Sequence, residues 1–145
     1  MKNEMNFEDM MHQLPKTLSK ITLTTLPVVG SAVIEVLNYF DAIYLEQRLS
    51  LIEDKLNELN VLSPFIEQLK DLDEHRYYSF RNNLKFLLTS ALPETVDVYI
   101  MALIDSIIGE SHDMAEEVCE IMRQFNANDI KTLQILNDYI ERVEV

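Results

Sequence analysis

Three side chains near position 116 have the types and the spacing of a metal site. His112, Glu116 and Glu120 recur every four residues, so a helix would place them on one side. Imidazole and carboxylate groups bind divalent cations, and helical bundles hold such ions with Glu-x-x-His pairs from facing helices. The sequence contains no second helix with that pair. We therefore favour a solvated helix start, where the helix dipole attracts acids, and predict no metal ion.

A basic group precedes the acidic half of the chain, at His75, Arg76, Arg81 and Lys85. Clustered cations of this kind could bind a phosphate, another anion or a partner protein. Alternatively, they pair with the acidic C-terminal helices or stay solvated, and such surface pairs contribute only about 0–1 kcal/mol each. We favour this structural role and keep the four residues as a candidate contact for an anion or a partner.

No residue can be assigned to catalysis or to cofactor binding. His12 and His75 have no acid-base partner at a useful spacing, and neither a nucleophile elbow nor a Cys-His arrangement occurs. Cys119 lies within an apolar helical stripe, so we expect an inert core residue. The run around Gly30 lacks the second glycine and the Lys-Ser/Thr pair of a phosphate loop, so we expect Gly30 to allow a close contact between helices. The sequence therefore predicts no enzyme and no cofactor.

The segment 16–34, KTLSKITLTTLPVVGSAVI, contains no acidic residue. It carries Lys16, Lys20, a proline break at Pro27 and the small Gly30, so it could lie at a membrane surface or contact a partner. The alternative is a pair of helices buried in the bundle. We favour burial, because the segment contains several threonines and is too short for the roughly 20 apolar residues that span a bilayer.

Helices alone are predicted to position these side chains. The apolar residues recur at helical spacing, and only two glycines and four prolines interrupt them. One long helix is expected at residues 27–60, kinked where its apolar stripe shifts phase near Asp41 to Tyr44. The helix at residues 93–108 is apolar around most of its circumference, which is typical of a central helix. Gly109 is expected to end it in the C′ role.

The length of 145 residues and the 48% hydrophobic content favour one domain. We predict an all-α fold, a single compact bundle of five to seven helices over residues 1–145. Residues 1–14 are expected to be disordered or loosely attached to it.

The charge and the cysteine content indicate which classes of partner and which cell compartment to expect. The net charge of −13 disfavours nucleic acid, and from Glu94 onward 12 acidic residues stand against 3 basic ones. The acids within Met1 to Met10 do not fit a secretory signal, and no apolar stretch reaches the length of a membrane span. A single cysteine fits a reducing compartment. We expect a cytoplasmic protein.

Four runs of the sequence carry a resemblance: LPVVGSAVIEVL, LEQRLSLIEDKLNEL, YSFRNNLKFLLTSAL and VDVYIMALIDSI. Their order resembles a diffuse group of bacterial all-helical proteins, some of which are associated with abortive infection or phage defence. The resemblance covers roughly Ile21 to Ile140. It implies a helical fold and a bacterial or phage origin, and it transfers no catalytic residue. The strongly acidic C-terminal half departs from the group.

The function expected from these observations is binding rather than catalysis. We predict a non-enzymatic bacterial protein that acts through a protein partner or through self-association, in phage defence or in stress. A membrane-engaging effector that uses residues 16–34 is the alternative. A metal-dependent enzyme built on His112, Glu116 and Glu120 is a second, weaker alternative.

Overall fold

The computed structural model describes residues 7–124 and 126–144, and in them every regular element is a helix. This confirms the all-α prediction. The prediction of five to seven helices is wrong, because the described residues form nine α-helices. They are α1 (Phe7–Gln13), α2 (Lys16–Ser19), α3 (Pro27–Val36), α4 (Ala42–Glu58), α5 (Leu62–Leu69), α6 (Glu74–Thr89), α7 (Val96–Ile108), α8 (His112–Arg123) and α9 (Ala127–Glu144). Two short 3-10 turns, Thr22–Thr25 and Pro93–Thr95, precede α3 and α7.

The long kinked helix expected at residues 27–60 is wrong, because two separate helices take its place. Helix α3 ends at Val36 and α4 begins at Ala42. The Asp41 carboxylate accepts a hydrogen bond from the Ile43 N–H at 2.7 Å, so this aspartate starts a new helix as its N-cap. The predicted change of phase at Asp41 to Tyr44 therefore marks the beginning of a helix rather than a bend within one.

The start of the described chain is held firmly against the body. Helix α1 packs on α3, and Met10 is only 1% exposed. A Cβ atom added to Gly30 would lie 2.1 Å from the Met10 sulfur, so the close helix contact predicted for Gly30 is confirmed. The loose attachment expected for residues 1–14 does not hold for α1. Residues 1–6 lie outside the described residues.

Helix α7 lies among several neighbours. It packs against α8, α6, α5 and α4, and eight of its thirteen residues are buried. Its C-cap, Gly109, has a φ of −75°, so the left-handed conformation expected of a C′ glycine is absent there. Gly109 is needed for space instead, because an added Cβ would lie 2.6 Å from the Asp105 carbonyl oxygen.

One continuous apolar core joins these helices and extends from Leu14 to Cys119. The described part of α9 contributes no residue to it. Every side chain described in α9 is exposed except Ile130, which is half-buried. The C-terminal helix therefore stands apart from the core that holds the rest of the molecule together.

Candidate interaction surface

Of the three candidate metal ligands on α8, His112 is held by structural contacts, whereas Glu120 is exposed. The Nδ1 atom of His112 lies 3.0 Å from the Ser106 carbonyl oxygen and 3.2 Å from Nη2 of Arg76. A protonated Nδ1 donates to the carbonyl, and an unprotonated one accepts from the guanidinium, so either tautomer fixes the ring at the end of α7. No group of three His, Cys, Asp or Glu side chains within residues 7–124 and 126–144 is arranged to hold a metal ion.

Two members of the basic group contact the C-terminal half of the chain. Arg76 donates to the carbonyl oxygens of Ser106 at 2.8 Å and Ile107 at 3.3 Å, which are among the last carbonyls of α7. It thereby provides the donor that a helix C-terminus lacks. His75 is largely exposed, and its Nε2 atom lies 3.9 Å from a Glu116 oxygen, which is too far for a hydrogen bond.

The other two members pair with an acid of the N-terminal half. Arg81 and Lys85 donate to the two oxygens of Glu35 on α3, at 2.5 and 3.2 Å. Partial burial by itself would raise the pKa of Glu35, but the hydrogen bonds and charges of Lys85 and Arg81 lower it below its usual value. The prediction that Arg81 and Lys85 pair with the acidic C-terminal helices is therefore wrong. The four basic residues do not converge on one anion site.

The apolar residues of the segment 16–34 are placed in the core. Leu18, Leu23, Val29 and Val33 are all buried, and the Leu23 N–H donates to Glu53 of α4 at 3.2 Å. Lys16, Lys20 and Pro27 lie on the outside, while Gly30 is buried under Met10. Within the part of the chain that the structure describes, no helix has the length and hydropathy needed to cross a membrane.

Cys119 is fully buried on the inner side of α8, as the apolar stripe predicted. Burial raises the pKa of its thiol to about 12, and the nearby Arg123 only partly offsets this. A thiol that keeps its proton is a poor nucleophile, so the geometry gives Cys119 the role of a core residue.

An exposed apolar strip runs along α8 beside its buried face. Met114, Val118 and Ile121 are exposed, with Met114 at 66%. Together with Val98, Met101 and Ala102 of α7, Met114 and Val118 line a groove of about 510 Å³, which we call the α7–α8 groove. Asp105 and Glu110 lie at the end of this groove near the connection between the two helices. An apolar groove with polar residues at its edge is a candidate binding site.

Helix α9 presents a second uncovered apolar surface. Five of its large apolar side chains are about half exposed or more, and we call them the α9 face: Leu133, Ile135, Leu136, Tyr139 and Ile140. Leu133, Leu136 and Ile140 follow the three-and-four spacing of a helix-helix seam. Asn126 and Asp129 fix the start of α9, because each side chain accepts a hydrogen bond from the backbone N–H of the other.

The sequence contains the residues of these surfaces but does not show their exposure. Helical spacing places Val118 and Met122 in one apolar stripe with Cys119, and Leu133, Leu136 and Ile140 in another. In the structure the α8 stripe is wider than the surface that α7 covers, and Met114 and Ile121 extend it toward solvent. The width of the α8 stripe is the feature of the sequence that indicates an exposed apolar surface.

Comparison with known proteins adds no relative: no protein-family model matches the chain, and neither a curated protein nor a solved structure is significantly similar to it.

Proposed function

We propose that this chain is a non-enzymatic interaction protein that binds a protein partner through the α9 face and the apolar side of α8. The observation that carries the proposal is the exposure of the α9 face, where Tyr139 is 65% and Ile135 is 59% exposed. Single exposed apolar residues are common on any protein, but a whole helix face of them marks an interaction site.

The energetics of an isolated helix support the same proposal. Most of the stability of a helix in a protein comes from packing its apolar face, and the 18-residue helix α9 leaves that face exposed. Packing an apolar face against a partner supplies the missing stabilisation. An amphipathic helix whose anchors are spaced three and four residues apart is a common way in which one protein occupies the groove of another.

The alternative functions receive less support. Membrane engagement by residues 16–34 would require Leu18, Leu23 and Val29 to leave the core. A metal-dependent reaction would require His112 to leave the end of α7. The role in phage defence or stress and the cytoplasmic location stay predictions.

Site-specific photo-crosslinking in the native host tests the proposed function. A crosslinking residue replaces Leu136 on the α9 face in one variant and Gln134 on the polar side of the same helix in a matched control. We expect discrete adducts from position 136 and none from position 134, because only the apolar face is buried in the complex. The readout is the mass of the adducts on a denaturing gel and by mass spectrometry.

The mass of the adduct shows which kind of partner binds. A band at twice the mass of the 16.9 kDa chain indicates a second copy, and any other discrete mass indicates a different protein. Either result supports the interaction function. The absence of adducts at position 136, or equal labelling from both positions, would overturn it.

A further inference from the structure

We propose that the α7–α8 groove binds a cationic amphipathic helix of another protein, whose apolar side chains fill the groove and whose lysines or arginines meet its acidic edge. The proposal rests on the proposed function and names the chemistry of the partner. The walls of the groove are apolar at Val98, Met114 and Val118, and Asp105 and Glu110 lie at its end. A helix binds such a groove through apolar anchors, and the charges around them select the partner.

The two helices that form the groove carry charges of one sign. From residue 94 to residue 122 the chain contains neither lysine nor arginine and has eight acids: Glu94, Asp97, Asp105, Glu110, Asp113, Glu116, Glu117 and Glu120. Both walls of the groove have an exposed acid at the edge. Asp97 neighbours Met101 on the surface of α7, and Glu117 neighbours Met114 on the surface of α8. An occupant of the groove therefore meets negative charge on both sides and at one end.

The same charges disfavour the other molecules that could cover an apolar groove. Anionic lipid headgroups and the phosphates of nucleic acid would be repelled. The α9 face of a second copy does not match the groove either, because α9 has more acids than bases and Asp129 lies among its apolar residues. A different protein with basic residues beside an apolar helix face matches both the walls and the edge of the groove.

The length of the groove corresponds to about three helical turns. It follows α7 from Val98 to Gly109, which is about 16 Å along the helix axis. Over about three turns, an amphipathic helix presents three apolar anchors at i, i+4 and i+7. The residues directly before and after an anchor lie about 100° from it, at the edges of the apolar face. Lysines or arginines at those positions reach the acids of the two walls.

Fluorescence anisotropy with a labelled peptide and the full chain tests the proposal. The probe is a peptide of about 14 leucines and lysines, in which the leucines form one face of a helix. A scrambled peptide of the same composition keeps the charge and loses the apolar face. A third peptide, with glutamate in place of lysine, keeps the face and reverses the charge. We expect the probe to bind at least about tenfold more tightly than either control, because only the probe matches both the walls and the edge.

Single substitutions test whether the peptide lies in the groove. Met114→Glu places a charge between the apolar walls and should weaken binding at least about tenfold. A purely electrostatic attachment would instead become stronger, because the added charge is negative. Asp105→Lys should weaken binding about threefold or more and make it less dependent on salt. Both side chains are exposed, so neither change disturbs the core.

Matched variants on α4 control for the change in net charge. Ile43→Glu and Asp54→Lys alter exposed side chains of that helix by the same charges and should leave the affinity for the peptide unchanged. Circular dichroism checks that every variant keeps its helices.

Photo-crosslinking from position 114 in the native host identifies the natural occupant. A crosslinking residue replaces Met114 in one variant and Glu120, an exposed residue on the polar side of α8, in a matched control. We expect adducts from position 114 alone. Mass spectrometry should map them to a segment of another protein in which lysines or arginines flank an apolar helix face.

Three results would overturn the proposal. Equal binding of the probe and the scrambled peptide, or binding that Met114→Glu does not weaken, shows that the overall charge alone attracts the peptide. Loss of the peptide from Leu136→Glu in place of Met114→Glu assigns binding to the α9 face. The absence of adducts at position 114, or adducts that map to an acidic segment or to a second copy, contradicts the stated partner. Adducts from position 136 would in each case leave the interaction function intact.

Discussion

At the scale of single residues, the contact between Gly30 and Met10 decides how the N-terminal helix is attached. Helix α1 reaches α3 at a point where an added Cβ would lie 2.1 Å from the Met10 sulfur and 2.8 Å from its methyl carbon. Met10 is itself buried, so its side chain would have to move within a packed interior to make room. The glycine therefore has a steric role in the middle of a helix, where alanine would otherwise be preferred.

This geometry predicts that Gly30→Ala has opposite effects on the free energy of unfolding with and without the Met10 side chain. Gly30→Ala in the wild-type chain should lower the free energy of unfolding by about 1–2 kcal/mol, because overpacking displaces Met10 and loosens α1. In a Met10→Ala background the clash is absent, and the same change should stabilise by up to about 1 kcal/mol through helix propensity. Chemical denaturation of the four chains measures both values. The same destabilisation in both backgrounds would contradict the contact.

The buried thiol of Cys119 predicts how the stability depends on alkaline pH. Burial raises its pKa from an ordinary 9.0 to about 12, and burial also raises the pKa of the Tyr99 hydroxyl. Between pH 9 and 12 the folded chain therefore keeps protons that the unfolded chain has lost. Stability must fall as the pH rises through that window, by at most about 1.4 kcal/mol per pH unit for each group.

Cys119→Ala removes the thiol's part of that fall and leaves the part of Tyr99. We expect a shallower loss of the free energy of unfolding with pH in the variant, measured by denaturant titrations over the alkaline range. The cavity left by the smaller side chain lowers stability at every pH and does not change the slope. Equal slopes in the two chains would show that the Cys119 thiol ionises in the folded state.

At the scale of helices, the sequence predicted the helical class and the apolar stripes but not every boundary. The change of phase in the apolar stripe predicts a kink near Asp41, but Asp41 is the cap of a new helix. Asp73 likewise starts α6 by accepting a hydrogen bond from the Arg76 N–H at 2.8 Å. Aspartate is a frequent N-cap, so both boundaries carried a local signal that the apolar pattern obscured.

The partners of charged residues were harder to predict, because they depend on contacts between distant parts of the chain. Glu35 is 46 residues from Arg81 in the sequence, and no local pattern joins them. The same limit applies to the stripes of α8 and α9. Periodicity shows that a helix has an apolar face, but the tertiary arrangement decides whether this chain or another molecule covers it.

At the scale of the whole molecule, the structure consists of a body with one core and a helix, α9, whose described side chains lie outside that core. The core extends from Leu14 to Cys119, while the α9 face is left to solvent. The body should therefore unfold as one cooperative unit with a stability of its own. Helix α9 should gain its stability only when its apolar face is covered.

This division predicts that a charge on the α9 face leaves the stability of the body unchanged. Leu136→Glu changes an exposed side chain outside the core, so the body should unfold at the same temperature as in the wild type. Leu103→Ala removes a fully buried side chain of α7 and should lower the free energy of unfolding by about 2–5 kcal/mol. Thermal and denaturant unfolding, followed by circular dichroism, measure both changes. An equal loss of stability in the two variants would show that Leu136 belongs to the cooperative unit of the body, because only a packed side chain can contribute as much as a core leucine.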